Sequence, residues 1–281
     1  MMTPQVLIAN KYSIGQLLGQ GQFGSVYNGI YEKTGDLVAI KLEGRDTGIK
    51  LLKQEATILK YLYDQGSRFV PTVYWFGVWS NYTCLVMPLY DCSLHDKVGT
   101  LSEVKVDAIM SACISILEDI HSHQVLHCDI KPHHFMIRDR ELYLVDFGLA
   151  TFAVKQKGDE LRKRSHLIGS PKYASYFLHN GEHPCYRDDL LSLGYMYYFL
   201  LYPNTLVSNI LTDDDVEQCK TDLQHPINLM WKQFKLWSSE TVDTPSLRTL
   251  AIGQKISSYL SYCYHLQMDS TPDYSALKAL F

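Results

Sequence analysis

The strongest constraint on this chain is a glycine-rich run followed at once by a strand-forming sequence. Gly19-Gln20-Gly21-Gln22-Phe23-Gly24-Ser25-Val26 has the spacing G-x-G-x-x-G-x-V. In a dinucleotide-binding turn these glycines open a helix. Here Ser25-Val26-Tyr27-Asn28-Gly29-Ile30 reads as a strand instead. A P-loop needs Lys directly after its last Gly, and Ser25 stands there. What remains is a strand–glycine loop–strand hairpin, whose glycines let backbone N–H groups approach phosphates closely. By itself the run is equally an ordinary glycine-rich hairpin.

The sequence around it is β-rich. Residues 12–18, 25–30 and 37–42 are short apolar or alternating runs, and Glu32-Lys33-Thr34-Gly35-Asp36 reads as a hairpin turn. Residues 50–62 carry Leu51, Ile58, Leu59 and Leu62 as a helical stripe, and strands are expected near 73–79 and 83–87. After residues 88–93 the pattern turns helical. Residues 102–124 place Val106, Ile109, Met110, Cys113, Ile116, Leu117 and Ile120 on one face, with Ser102 as N-cap. Residues 142–145 read as a short strand and 187–202 as a buried helix. A small β-rich part before a larger α-rich part is an α+β arrangement, with its cleft expected near residues 87–91.

Composition narrows the class without reaching chemistry. With 281 residues the chain can bury a sizeable core as one large domain or two modest ones. Apolar residues at 46% and charged residues at 20% argue against disorder, collagen and coiled coil. A net charge of −4 is too balanced to point to nucleic acid or a membrane surface. No signal peptide is evident in the first ten residues, and the greasy run at 190–202 is too short to span a bilayer. The 7 cysteines are odd in number and lack C-x-x-C spacing, which favours a reducing, intracellular setting.

Three more motifs follow the glycine run in order. Val38-Ala39-Ile40-Lys41 places a lysine on a strand, with Glu55 on the next helix as its candidate partner. His127-Cys128-Asp129-Ile130-Lys131-Pro132-His133-His134 follows the long helix, and Asp146-Phe147-Gly148 follows the short strand. Asp146 lies 17 residues after Asp129. With all four motifs the chain resembles a eukaryotic protein kinase over nearly its whole length. It resembles the casein kinase I family more closely, as a divergent member. That likeness rests on Val38-Ala39-Ile40-Lys41-Leu42-Glu43, on Tyr173-Ala174-Ser175 where most kinases carry A-P-E, and on Arg187-Asp188-Asp189-Leu190-Leu191-Ser192-Leu193-Gly194-Tyr195. Tyr262-Cys263, Pro272-Asp273-Tyr274-Ser275, Leu277 and Phe281 belong to the same pattern.

The resemblance implies a bilobal kinase fold over residues 12–281. The N-lobe takes about 12–87, the hinge 88–91 and the C-lobe about 92–281, after a short extension at 1–11. It implies a serine/threonine kinase using ATP and Mg²⁺. Gly19, Gly21 and Gly24 would cover the ATP phosphates, Leu18, Gln20, Gln22, Phe23 and Ser25 would share in binding the nucleotide, and Val26 and Ala39 would sandwich adenine. Met87 is the gatekeeper, and residues 88–90, including Tyr90, offer hinge backbone to adenine. Lys41 and Glu55 form an ion pair, Asp129 takes the substrate proton, and Lys131 reaches the transferred phosphoryl. Asp146 and position 134 hold metal, and Asp189 anchors the catalytic-loop backbone.

Two positions depart from the family. Cys128 replaces the usual Arg, which implies activity independent of loop phosphorylation and a weakened anion site. His134 replaces the metal-binding Asn, and nitrogen is a softer donor than the oxygens that Mg²⁺ prefers. Three readings of His134 stand open: a working ligand that favours Mn²⁺, a slower enzyme with one well-held metal, or a pseudokinase scaffold that binds nucleotide weakly.

His121 and His123 do not share a helix face, which argues against a zinc site, and His127 is expected as a scaffold residue under the D-F-G turn. Lys155, Lys157, Arg162, Lys163 and Arg164 read either as a solvated loop or as a cationic face beside the substrate cleft. Together with Lys172, the second reading favours acidic Ser/Thr sites on protein substrates. The chain is expected to act as a monomer in cytoplasm or nucleus, without nucleic acid or membrane as partner. Because the family pattern closes at 272–281, control of an active kinase is expected from outside the chain or from abundance and location.

Overall fold

The computed structural model describes residues 7–21, 24–46, 48, 50–153, 164–203 and 247–281. The chain divides into two compact units, Met1–Ser93 with Phe135–Ala150, and Leu94–His134 with Thr151–Phe281.

The first unit is built on a five-stranded antiparallel sheet. Its strands are β1 (Tyr12–Gly21), β2 (Gly24–Tyr31), β3 (Asp36–Gly44), β4 (Trp75–Trp79) and β5 (Tyr82–Pro88), in spatial order β1-β2-β3-β5-β4. Gly35 adopts φ +80° in the β2–β3 turn, a conformation open to glycine at no steric cost. Ile8, Tyr12, Val38, Ile40, Leu42, Cys84 and Val86 form one buried cluster on the sheet.

Helix α1 (Leu51–Asp64) follows β3. Its buried stripe is Leu52, Glu55, Ala56, Ile58, Leu59 and Leu62. Leu51, expected in that stripe, is only half-buried, because Leu52 has the three- and four-residue spacing to Glu55, Ala56 and Leu59. A small sheet of Cys92–Ser93, Phe135–Arg138 and Glu141–Leu144 completes the unit. Asp139 (φ 52°) and Arg140 (φ 68°) form the two-residue turn of its hairpin, the left-handed pair that matches strand twist.

The second unit is helical: α2 (Glu103–Ser122), α3 (Tyr176–His179), α4 (Tyr186–Leu201), α5 (Leu247–His265) and α6 (Tyr274–Lys278). Helix α4 is buried on nearly every side and packs between α2 and α5, while α6 packs on α2. A Cβ at Gly194 would lie 2.6 Å from Leu260 and 2.9 Å from Tyr259, so glycine permits the close approach of α5. The expected face of α2 is buried except for Ile109, which is half-buried. Ser102 stands at its N-cap, but its hydroxyl makes no capping bond; its carbonyl accepts from Val106 N–H at 3.0 Å. Among the described residues, no helix is long and apolar enough to cross a membrane.

Candidate active site

In the first unit, the β1–β2 hairpin sets Gly19 opposite Val26, Gln20 opposite Ser25 and Gly21 opposite Gly24. Gln22 and Phe23 lie outside the described residues. Gly24 has φ +154°, and a Cβ there would run into the Leu42 carbonyl on β3, so the fold itself demands glycine. Gly19 and Gly21 differ: among the described residues, chain neighbours apart, no atom lies within 4 Å of a Cβ added at either. Their lack of a side chain leaves room beside the backbone. Leu18 is exposed, Ser25 and Val26 are half-buried. Ala39 and Met87, both buried, face each other on β3 and β5. Tyr90 turns its ring onto Tyr143, with centroids 5.2 Å apart.

Lys41 sits opposite Val26 on β2 and Leu85 on β5, which fixes its stem. Its Nζ lies 2.7 Å from Glu55 Oε2 and 2.7 Å from Asp146 Oδ1. Burial acts to lower the lysine pKa, but Glu55 and Asp146 outweigh it and hold the ammonium above the ordinary range. Burial also lifts Glu55 to about 7, the Lys41 charge pulling the other way. Asp146 takes left-handed dihedrals (φ 65°, ψ 66°) before the turn Phe147–Leu149. Such a conformation costs roughly 1–3 kcal/mol and persists only where surroundings enforce it. Here Phe147 is fully buried, and the turn packs against α1.

In the second unit, Asp129 is the centre of a dense bonding pattern. Its Oδ2 lies 2.8 Å from Lys131 Nζ, and its Oδ1 accepts from Ser170 N–H at 2.7 Å. Lys131 Nζ also donates to Ser170 Oγ at 2.9 Å. Burial alone would raise the Asp129 pKa; His134, Lys131 and Ser170 together bring it below the usual carboxylate value. Ser170, which ties this arrangement together, was not singled out by the motifs. The Gly169-Ser170-Pro171 sequence was its only signal.

The loop carrying Asp129 is hung from α4. Asp189 accepts the backbone N–H of His127 at 2.7 Å and of Cys128 at 2.8 Å. His121 Nε2 lies 3.0 Å from the same carboxylate, and His121 Nδ1 lies 2.6 Å from the Tyr274 hydroxyl. Burial works against the Asp189 charge, yet His121 and the loop donors hold its pKa below the ordinary value. Cys128 adopts φ 66°, and its thiol is pushed well up by burial and the nearby carboxylates. His127 is fully buried, and its Nδ1 accepts from Asp129 N–H at 3.2 Å. Ser175 donates to Asp188 and accepts from Leu178 N–H at 3.2 Å, which pins Tyr173-Ala174-Ser175 to α4.

His134 sits in the turn Pro132–His134 and is buried. Its Nδ1 lies 2.9 Å from the Asp129 carbonyl oxygen. A carbonyl only accepts, so Nδ1 carries a proton, and in the neutral form of the ring the lone pair lies on Nε2. A ligating histidine is ordinarily oriented this way, its other nitrogen donating to a carbonyl or carboxylate. In the second unit the imidazole is therefore oriented as a metal-ligating histidine is, and in the first unit Asp146 offers the kind of carboxylate oxygen that hard cations take.

Beside the loop, the rings of His95 and His133 stack at 3.8 Å, and Lys172 Nζ stands 4.0 Å over the Phe199 ring. Of the basic stretch, residues 155–163 lie outside the described residues; Arg164 is exposed, its N–H bonded to the Gly181 carbonyl at 2.8 Å.

The sequence model of the protein kinase domain matches residues 12–270. That is most of the chain, and the protein belongs to the protein kinase family. The β-sheet first unit and helical second unit agree with the bilobal α+β fold of that family. Protein kinase domains transfer phosphate to proteins, in general with ATP and Mg²⁺.

Proposed function

We propose that the chain is an active serine/threonine kinase of the casein kinase I type, transferring the γ-phosphoryl of ATP to acidic protein sites. The observation that carries this reading is the Asp129–Lys131–Ser170 cluster. The depressed pKa keeps Asp129 ionised at neutral pH, and the ionised carboxylate can orient the substrate hydroxyl and take its proton as transfer proceeds. Lys131, two residues on, places a cation beside that carboxylate for the transferred phosphoryl. That spacing is what supports Ser/Thr over Tyr specificity.

The first unit would bind the nucleotide. The empty space at Gly19 and Gly21 admits phosphates close to the backbone of the hairpin that also carries Leu18, Gln20, Gln22, Phe23, Gly24 and Ser25. Lys41, held by Glu55 and Asp146, positions its ammonium on the phosphates. Val26, Ala39, Met87 and the backbone near Tyr90 would take adenine. Asp146 and His134 would hold the metal, whose charge, when bound, neutralises and orients the phosphates. The tautomer fixed by the Asp129 carbonyl supports His134 as a working ligand that favours Mn²⁺ over Mg²⁺.

The substrate side is cationic. Lys131 and Lys172 stand near His133, whose pKa is held down by burial first and then by His95, Lys131 and Lys172 against an opposing Asp96. This supports acidic Ser/Thr sites. The six cysteines among the described residues are free thiols, which supports a place in cytoplasm or nucleus.

The test is transfer of labelled γ-phosphate to casein in Mg²⁺ and in Mn²⁺, with Asp129→Asn beside the wild type. Transfer above the variant is expected in at least Mn²⁺. Wild type equal to variant in both metals would show a binding scaffold instead.

A further inference from the structure

A cavity lies wholly within the first unit. It has a volume of about 300 Å³ and lies between the end of α1, the stretch before β4, the end of β5 and the Phe135–Leu144 hairpin. Its lining is unusual in chemistry: Arg68 and Arg138 share it with Tyr63, Tyr74, Tyr90 and Tyr143. Both guanidiniums are permanently charged. Arg68 bonds only uncharged oxygens, the Ser67 carbonyl at 2.8 Å and the Tyr63 carbonyl at 3.2 Å, and stands 4.8 Å over the Tyr63 ring. Arg138 is bonded by Tyr74, and its Nε is 3.6 Å from Asp139, whose side chain is 88% exposed. That carboxylate is the one acidic group paired with either arginine among the described residues, and solvent screens it. Burial first, with Tyr143 and Tyr74 beside it, raises the Tyr90 hydroxyl pKa, so it remains a donor.

We infer that this cavity is a docking site for a phosphorylated side chain of a protein partner. Two guanidiniums and several phenolic donors converge on one small space, a donor set matched to a phosphate monoester with three acceptor oxygens. A carboxylate offers two coplanar oxygens and would leave donors unused. The tyrosine rings add apolar faces for the residues that flank the phosphate. None of these six side chains belongs to the phosphoryl-transfer cluster around Asp129, so docking here is separable from transfer.

The test uses the full chain and a fluorescent peptide carrying one phosphoserine in a neutral sequence. Its unphosphorylated twin and inorganic phosphate are the comparison ligands. The phosphopeptide is expected to bind about tenfold or more tightly than its twin, the scale of one charge-assisted contact. Arg68→Ala with Arg138→Gln is expected to erase that preference and leave transfer to an unphosphorylated peptide unchanged. Lys172→Ala is expected to keep it. Should the Arg138 change lower the melting temperature, Arg68→Ala alone decides, because that side chain is exposed and its bonds are to the nearby Tyr63 and Ser67 carbonyls. The inference is overturned if the arginine variants bind the phosphopeptide as wild type does. It is equally overturned if Lys172→Ala removes the preference, or if inorganic phosphate binds as tightly as the phosphopeptide.

Discussion

His121 and Asp189 meet at 3.0 Å in the interior of the second unit, and the same carboxylate holds two backbone N–H groups of the loop that carries Asp129. The chain of bonds runs on to Tyr274 of α6, whose hydroxyl lies 2.6 Å from His121 Nδ1. A buried carboxylate with three donors is costly to disturb, and Asp189→Asn is expected to destabilise the protein by about 3 kcal/mol at neutral pH. The sign of its pH dependence follows from its depressed pKa. Its contribution is full above the unfolded value of about 3.9 and disappears as pH falls through the lower folded value. Thermal melts of wild type and Asp189→Asn should therefore converge below about pH 4. A constant difference down to the acid limit would contradict the charge assignment.

The Lys41 ammonium is held by two carboxylates, one of which titrates near neutrality. Acidification through about pH 7 protonates Glu55 and removes one of the two charges on Lys41. Transfer is expected to fall on that limb, and Glu55→Gln to lose it together with about tenfold to a hundredfold in kcat/KM. The measurement is kcat/KM for ATP from pH 5.5 to 8.5; an unchanged acid limb in Glu55→Gln assigns it to another group.

The proposed metal role of His134 can be tested at that position. His134→Asn replaces a nitrogen donor by an amide oxygen, and the ratio of Mn²⁺- to Mg²⁺-supported activity is expected to drop by about tenfold. Metal titrations of both proteins with ATP present read the same shift in affinity. If the ratio does not move, His134 is no ligand.

Gly169 takes φ +86°, and a Cβ there would run into the Cys128 carbonyl oxygen. Gly169→Ala is expected to cost about 1–3 kcal/mol, combining positive-φ strain with overpacking. Because the next residue gives Asp129 its N–H bond, activity should fall more than the melting temperature implies. Gly21→Ala meets no atom of the described residues beyond its chain neighbours, so its melting temperature should hold while its KM for ATP rises. Equal melting temperatures for wild type and Gly169→Ala would remove the strain assignment.

Much of the fold was legible because its patterns are local. The alternation in β2 and β3, the Gly35 turn and the stripe on α2 follow from residues a few positions apart, and the structure has each of them. Lys41 and Glu55 were paired from their motifs, and they meet at 2.7 Å. What sequence missed depended on exact side-chain direction. Leu51 and Leu52 are equally apolar, and only packing of α1 selected Leu52. Ser102 has the right type to cap α2, yet its hydroxyl turns elsewhere. Ser170 and Tyr274 carry no motif, and their importance appears only when distant segments converge on Asp129 and His121.

The sequence by itself determined the family, because four spaced motifs in order restrict backbone geometry and charge at once. It also determined that position 134 carries an imidazole. Tertiary structure alone decided how that imidazole is used. The Asp129 carbonyl takes the Nδ1 proton, and a tautomer is set by a neighbour's lone pair, not by the residue's own identity. The same holds for Arg68 and Arg138, 70 positions apart in sequence. Nothing local relates them; a shared cavity does, because only a folded chain brings two like charges around one space and leaves it open.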